Sequence, residues 1–187
     1  DTGAEAINVA FDGFGNIEGG AADDQFTFQT GASFSGTFNA GAGTDRVSVQ
    51  ALTTDTHVTT DASVSLPTGV VGLRLQGIEQ LLGNGRTWLY GASDQSYTWT
   101  ISGQRSGQVT STLVDADNQL LAFENLSAIV GGAHDDIFRV TVATPLLSLE
   151  GGAAVTSDLV DYSQVNGNLR INLATALSGQ NGVLAGV

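Results

Sequence analysis

The chain has no cysteine, no methionine and no lysine, and only 2 prolines among its 187 residues. Without cysteine there is no disulfide and no thiol chemistry, although that does not fix the compartment, since disulfides are optional in secreted proteins. Positive charge is scarce: the 6 basic residues are all arginine and stand against 19 acidic ones, a net charge of −13. That balance argues against nucleic acid, whose affinity rests on neutralising phosphates, and against anionic lipid surfaces. It permits divalent cations. No signal peptide and no apolar run long enough to span a bilayer occur, so no membrane insertion is expected.

What is abundant points to strands and turns. Hydrophobic residues make up 41 %, which rules out disorder by composition, and 25 glycines accompany many Ser, Thr, Asn and Gln. The chain begins at Asp1 without methionine and stops at Val187 in mid-pattern, which reads as a segment of a longer protein.

One phrase is written twice. "FDGFGNIEGGAADDQFTF" from Phe11 returns without a gap as "FENLSAIVGGAHDDIFRV" from Phe123, with eight of eighteen positions identical. A weaker middle copy, "LQGIEQLLGNGRTWLY", aligns Leu75, Ile78, Leu81, Gly83 and Tyr90 with Phe11, Phe14, Ile17, Gly19 and Phe26, and lacks the acidic pair. Each full copy is followed by an apolar stretch, a Gly-rich turn and a further aspartate. Asp24 and Asp45 are 21 residues apart, Asp136 and Asp158 are 22 apart.

Period-two alternation marks strands at 26–28, 46–49, 97–101, 138–142 and 169–173. The best helix candidate, 111–126, reads better as two strands around a turn at 115–118. Short strands, frequent turns and a period near 21 predict an all-β, right-handed parallel β-solenoid (β-helix) with irregular rungs. The whole of 1–187 is taken as a single segment, with modules opening near 11, 75 and 123. The phrase repeats because one rung cannot bury its own apolar face. An antiparallel β-sandwich accounts for the alternation but not for the ungapped repeat.

"GGAADDQFT" (19–27) and "GGAHDDIFR" (131–139) resemble the repeats-in-toxin nonapeptide G-G-x-G-x-D-x-U-x; "AGAGTDRVS" (40–48) and "GGAAVTSDLVD" (151–161) resemble it less closely. That resemblance implies Ca²⁺ held by Asp24, Asp45, Asp136 and Asp158 together with turn carbonyls, hard oxygen ligands of the kind Ca²⁺ requires. Ala22 and His134 stand where the family's turn favours Gly, and the turns are not tandem. The alternative is that these aspartates cap turns by accepting backbone N–H bonds. More widely, "QGIEQLLG" (76–83), "SDLVDYS" (157–163) and "LRINLATALSG" (169–179) resemble strand-repeat segments of very large bacterial secreted and surface proteins, such as filamentous-haemagglutinin-like and repeats-in-toxin adhesins. This implies an extracellular or cell-surface module in a long array, acting as stalk, adhesin or fibre.

Other features carry less. Trp88, Tyr90, Tyr97 and Trp99 form an aromatic cluster that either stacks on surface glycans or fills an irregular core. His134 beside Asp135 and Asp136 has the composition of a metal or acid–base group, but Ala22 takes its place in the first copy. Paired acids also serve polysaccharide-active β-helices, whose sites need clustered cations. Here Arg46, Arg74, Arg86, Arg105, Arg139 and Arg170 are scattered, so no enzyme is expected. The expectation is a structural or adhesive module: a rigid acidic stalk whose partners are neighbouring repeats or a second copy stacked end to end. A calcium-dependent glycan-binding module and a polysaccharide-active enzyme are the alternatives.

Overall fold

A computed structural model describes residues 14–59, 71–111, 121–143, 147–168 and 182–185. Among them there is no helix; every regular element is a β-strand, and all belong to one sheet system. The strands follow where β-branched and aromatic residues alternate with polar ones. Tyr97–Ile101 is the clearest case: Tyr97, Trp99 and Ile101 are buried while Thr98 and Thr100 are half-exposed.

The strands stack as parallel ladders. β1 (Asn16–Glu18), β3 (Ser35–Asn39) and β6 (Val71–Gln76) bring Ile17, Phe38 and Leu75 into register. β2 (Gln25–Thr27), β4 (Arg46–Ser48), β7 (Gln80–Tyr90) and β10 (Leu121–Val130) align Phe26, Val47, Leu81 and Phe123. β5 (Thr56–Thr59) pairs with both β6 and the second half of β7, and β12 (Ser148–Glu150) follows β10, so Leu73, Val58, Leu89, Ile129 and Leu149 form one inward row. β8 (Tyr97–Ile101), β11 (Ile137–Val140), β13 (Asp158–Asp161) and β14 (Gly182–Ala185) make a separate ladder through Trp99, Phe138 and Val160.

The predominance of parallel pairs disposes of the antiparallel sandwich. The exception is β9 (Gly107–Ser111), which runs antiparallel to β8 and to the start of β10 and so joins the last ladder to the others. Stacked inward residues form one core. At one end Phe26, Phe28 and Phe34 surround Phe38 at centroid separations of 5.4, 5.5 and 4.8 Å. Farther along, Trp99 lies parallel to Phe138, 6.2 Å away.

Two expectations need correction. The 21-residue period holds only locally, because hydrogen-bonded neighbours elsewhere are 34 and 39 residues apart. The middle copy is also out of register with the sequence alignment. Leu81 pairs with Phe123 rather than Ile129, and Leu89 takes the place opposite Ile129. Between those two pairings the strands turn a corner that shrinks from rung to rung. Residues 49–55 span it first, then 83–86, then Asn125 alone. Asn125 does so with a φ of 56°, a left-handed conformation that Asn tolerates better than most residues. Arg105, from the β8–β9 turn, closes the corner by donating to the Gly85 and Leu126 carbonyls. The expected strand 169–173 lies outside the described residues.

Candidate functional site

The repeated phrase is repeated in its hydrogen bonds. In the first copy Gly20 N–H donates to Asp24 Oδ2 (2.7 Å), Asp24 N–H to Asp45 Oδ1 (2.6 Å) and Thr44 N–H to Asp23 Oδ1 (2.8 Å). In the second, Gly132 N–H donates to Asp136 Oδ2 (2.6 Å), Asp136 N–H to Asp158 Oδ1 (3.0 Å) and Thr156 N–H to Asp135 Oδ1 (2.6 Å). The backbone agrees: Gly19 N to Asn39 O and Gly131 N to Glu150 O are both 2.7 Å. Each acidic pair thus accepts amides from its own turn and from the next. The second acid of the pair caps its own turn, and the next turn's aspartate caps the second acid's amide. The first acid reaches forward to the following turn.

Local chemistry explains this arrangement. The second acid precedes an outward residue and then an inward aromatic, Phe26 or Phe138, so alternation turns its side chain toward the interior. There it must accept hydrogen bonds to remain satisfied. Gly41 and Gly152 sit at equivalent places with φ of 94° and 89°, and a Cβ there would run into the carbonyl oxygens of Gly20 and Gly132. Only glycine fits so close an approach between turns.

The four aspartates expected as Ca²⁺ ligands fall into two pairs on two separate ladders, Asp24 with Asp45 and Asp136 with Asp158. All four carboxylates accept backbone or turn amides, either directly or from the neighbouring rung. Among the described residues no set of three or more His, Asp or Glu side chains converges to hold a metal ion. A residue the sequence did not single out, Glu79, extends the first pair: its Oε2 accepts Asp45 N–H at 2.6 Å. Its separation of 34 residues from Asp45 hid it from a search at 21. Asp45 is fully buried, and its Oδ2 and Glu79 Oε1 are buried without a hydrogen-bond partner.

Burial shifts the titration of the second pair, Asp136 and Asp158. Asp136, 1 % exposed, is pushed up to about 6 by desolvation, against the pull of the Gly132 and Tyr97 N–H groups and with a further push from Asp158. Burial likewise raises Asp158. Asp135, half-exposed, is lowered by the Thr156 hydroxyl and amide. His134 lies close enough for its charge to act on Asp136, but the turn does not use it as a capping group.

The aromatic cluster divides. Tyr97 and Trp99 are core residues; Gln95 donates to the Tyr97 hydroxyl and Trp99 packs on Phe138. Trp88 and Tyr90 face outward, half-buried, on either side of inward Leu89. His57, opposite Trp88 in β5, joins them: the three rings lie within 29° of parallel, and His57 Nδ1 is 2.7 Å from the Tyr90 hydroxyl. Burial lowers the His57 pKa, partly countered by Asp55, and burial raises that of Tyr90. Parallel pairing, not any local motif, brings His57 into this group. Of the scattered arginines, Arg105 is committed to backbone carbonyls and Arg86 pairs loosely with Asp55 at 3.7 Å. No family model, no curated protein and no solved structure matches the chain.

Proposed function

We propose that the chain is a parallel β-solenoid segment whose function is mechanical: a stiff, acidic spacer in an extracellular or bacterial surface protein, continued by more repeats or by a second copy stacked on its end. The observation that carries this reading is the two-fold recurrence of the carboxylate-to-amide stitch between successive turns. Such a stitch ties each rung to the next and serves no substrate. Parallel ladders with stacked inward residues resist bending because any bend must stretch backbone bonds on one side of the coil. Arg105, engaged with two carbonyls, and Arg86 and Arg139, each beside a single acid, favour this reading over polysaccharide chemistry. Solution X-ray scattering over a concentration series tests it. An elongated particle that lengthens at constant cross-section supports the spacer; a compact particle of fixed size sinks it.

A second reading is a calcium-dependent adhesive module that contacts glycans. The bare buried oxygens of Asp45 and Glu79 and the half-buried, outward Trp88 and Tyr90, backed by buried His57, favour it. Thermal unfolding with Ca²⁺ and with a chelator separates the two. A rise of many degrees with Ca²⁺ supports the second reading, since a ligand bound only by the folded state stabilises it; coincident curves support the first.

A further inference from the structure

The dipeptide Asn-Gly occurs three times, at Asn84–Gly85, Asn166–Gly167 and Asn181–Gly182. In this dipeptide the glycine amide nitrogen can attack the asparagine Cγ. The new N–Cγ bond closes a five-membered succinimide as the Cγ–Nδ2 bond breaks and ammonia leaves. Water then opens the ring at either carbonyl, giving aspartate or isoaspartate. Water is the sole co-reactant, and glycine, with no Cβ, hinders the attack least. The reaction requires the asparagine side chain to swing over the following amide, so a fold that immobilises the side chain suppresses it.

The first two sites differ sharply in this respect. Asn84 is fixed in the shrinking corner. Its Nδ2 donates to the Leu52 carbonyl (3.0 Å) and the Thr54 carbonyl (2.9 Å), while its Oδ1 accepts from Arg86 N–H and the Thr87 hydroxyl, both at 2.9 Å. Rotation toward Gly85 breaks all four bonds. Asn166 lies in the loop after β13, just beyond the turn in which Val165 N–H donates to the Tyr162 carbonyl. Both Asn166 and Gly167 are exposed, Gly167 has a φ of 126°, and nothing lies within 4 Å of where its Cβ would be. Among the described residues no hydrogen bond holds the Asn166 side chain.

We infer that Asn166–Gly167 is a self-modifying site, where the folded chain converts asparagine to aspartate and isoaspartate without an enzyme, and that Asn84–Gly85 is protected by the corner that holds it. The product adds one negative charge to a chain already at −13, in the loop that follows β13, the strand that carries Asp161. The isoaspartate form also lengthens the main chain by one carbon. A segment that persists without turnover therefore acquires an age-dependent change in one loop while its rungs stay intact.

The chain's lack of lysine makes the test direct. Trypsin cuts only after arginine, so Asn84 falls in the peptide 75–86, Asn166 in 140–170 and Asn181 in 171–187. The folded protein is aged in mildly alkaline buffer, digested, and each peptide read by mass spectrometry with fragmentation and with an isoaspartate methyltransferase assay. A parallel sample is aged in urea. The expected result is progressive conversion at Asn166 in the folded protein, with 75–86 unchanged there and both sites converting together in urea. The variant N166Q should leave 140–170 free of isoaspartate. Conversion of Asn84 as fast as Asn166 in the folded protein overturns the inference. So does an Asn166 that survives in the folded chain while converting in urea.

Discussion

Asp136 should make the protein more stable in mild acid than at neutral pH. Its carboxyl is 1 % exposed and pushed up to about 6, against a reference value of 3.8. Above the folded value the carboxyl is ionised in both states, and below 3.8 it is protonated in both. Between the two, the folded state holds a proton that the unfolded state has released, so stability rises as pH falls through this window. A difference of about two units corresponds to about 3 kcal/mol at 1.36 kcal/mol per unit. The raised Asp158 acts in the same sense; Asp135 and Asp161, lowered by hydrogen bonds to Thr156 and Ser163, act in the opposite one, losing stability as acid protonates them. Relief of general repulsion in a chain of net charge −13 also favours acid stability, so the wild-type curve alone is not decisive. The assay is the urea midpoint between pH about 4 and 7 for wild type and for Asp136→Asn. The variant keeps the shape but has no proton to bind, and should lose the share of the slope that Asp136 supplies. A variant with the full wild-type slope would refute the reasoning.

The other predictions concern the stitches, the turns and the core. Asp45→Ala leaves Asp24 N–H without its acceptor in a half-buried turn and should lower stability by about 1–3 kcal/mol. Asp45→Asn keeps an acceptor and should cost clearly less; equal losses in denaturant titration would argue that the bond is unimportant. Gly41→Ala and Gly152→Ala force a left-handed backbone and a clash with the preceding turn. Each should cost about 2 kcal/mol or more, seen as a fall in the unfolding midpoint. Trp99→Ala should cost about 3–5 kcal/mol because the ring is buried against Phe138, whereas half-exposed Trp88→Ala should cost markedly less. Similar losses for the two tryptophans, measured by the same midpoint, would contradict their assignment to opposite faces.

Much of the strand content could be read from alternation alone. Tyr97–Ile101 was delimited to the residue, and the strands at Phe26, Arg46 and Phe138 were displaced by one or two positions at their ends. The recurrence of Gly-Gly and Asp-Asp likewise announced turns that recur in three dimensions. What alternation does not encode is which strand lies beside which. A period of 21 or 22 holds where both turns are tight, but the interval from Asp45 to Glu79 takes in the 49–55 corner with β5 and β6, and that from Tyr97 to Asp136 takes in β9 and β10, so the spacings there are 34 and 39. For that reason Glu79 and His57 were not visible as members of their groups. Each is adjacent to its partners only through parallel pairing across a variable loop. The aromatic cluster shows the same limit in reverse. Four rings close in sequence divide between the two faces of the sheet, since Trp88 and Tyr90 belong to β7 and Tyr97 and Trp99 begin a new ladder.

The stitches onto inward carboxylates share a direction. Asp24, Asp45, Tyr97 and Asp136 each donate their amide to a carboxylate that comes later in the chain, at Asp45, Glu79, Asp136 and Asp158. The two ends of the stack are therefore unequal. A break that removes later residues strands a buried amide, while one that removes earlier residues frees a carboxylate that water can solvate. As the chain emerges from its N-terminus, each turn must wait for the following rung before its amide is met. Order then spreads backward from the newest rung, and a stalled chain is least settled at its most recently made turn.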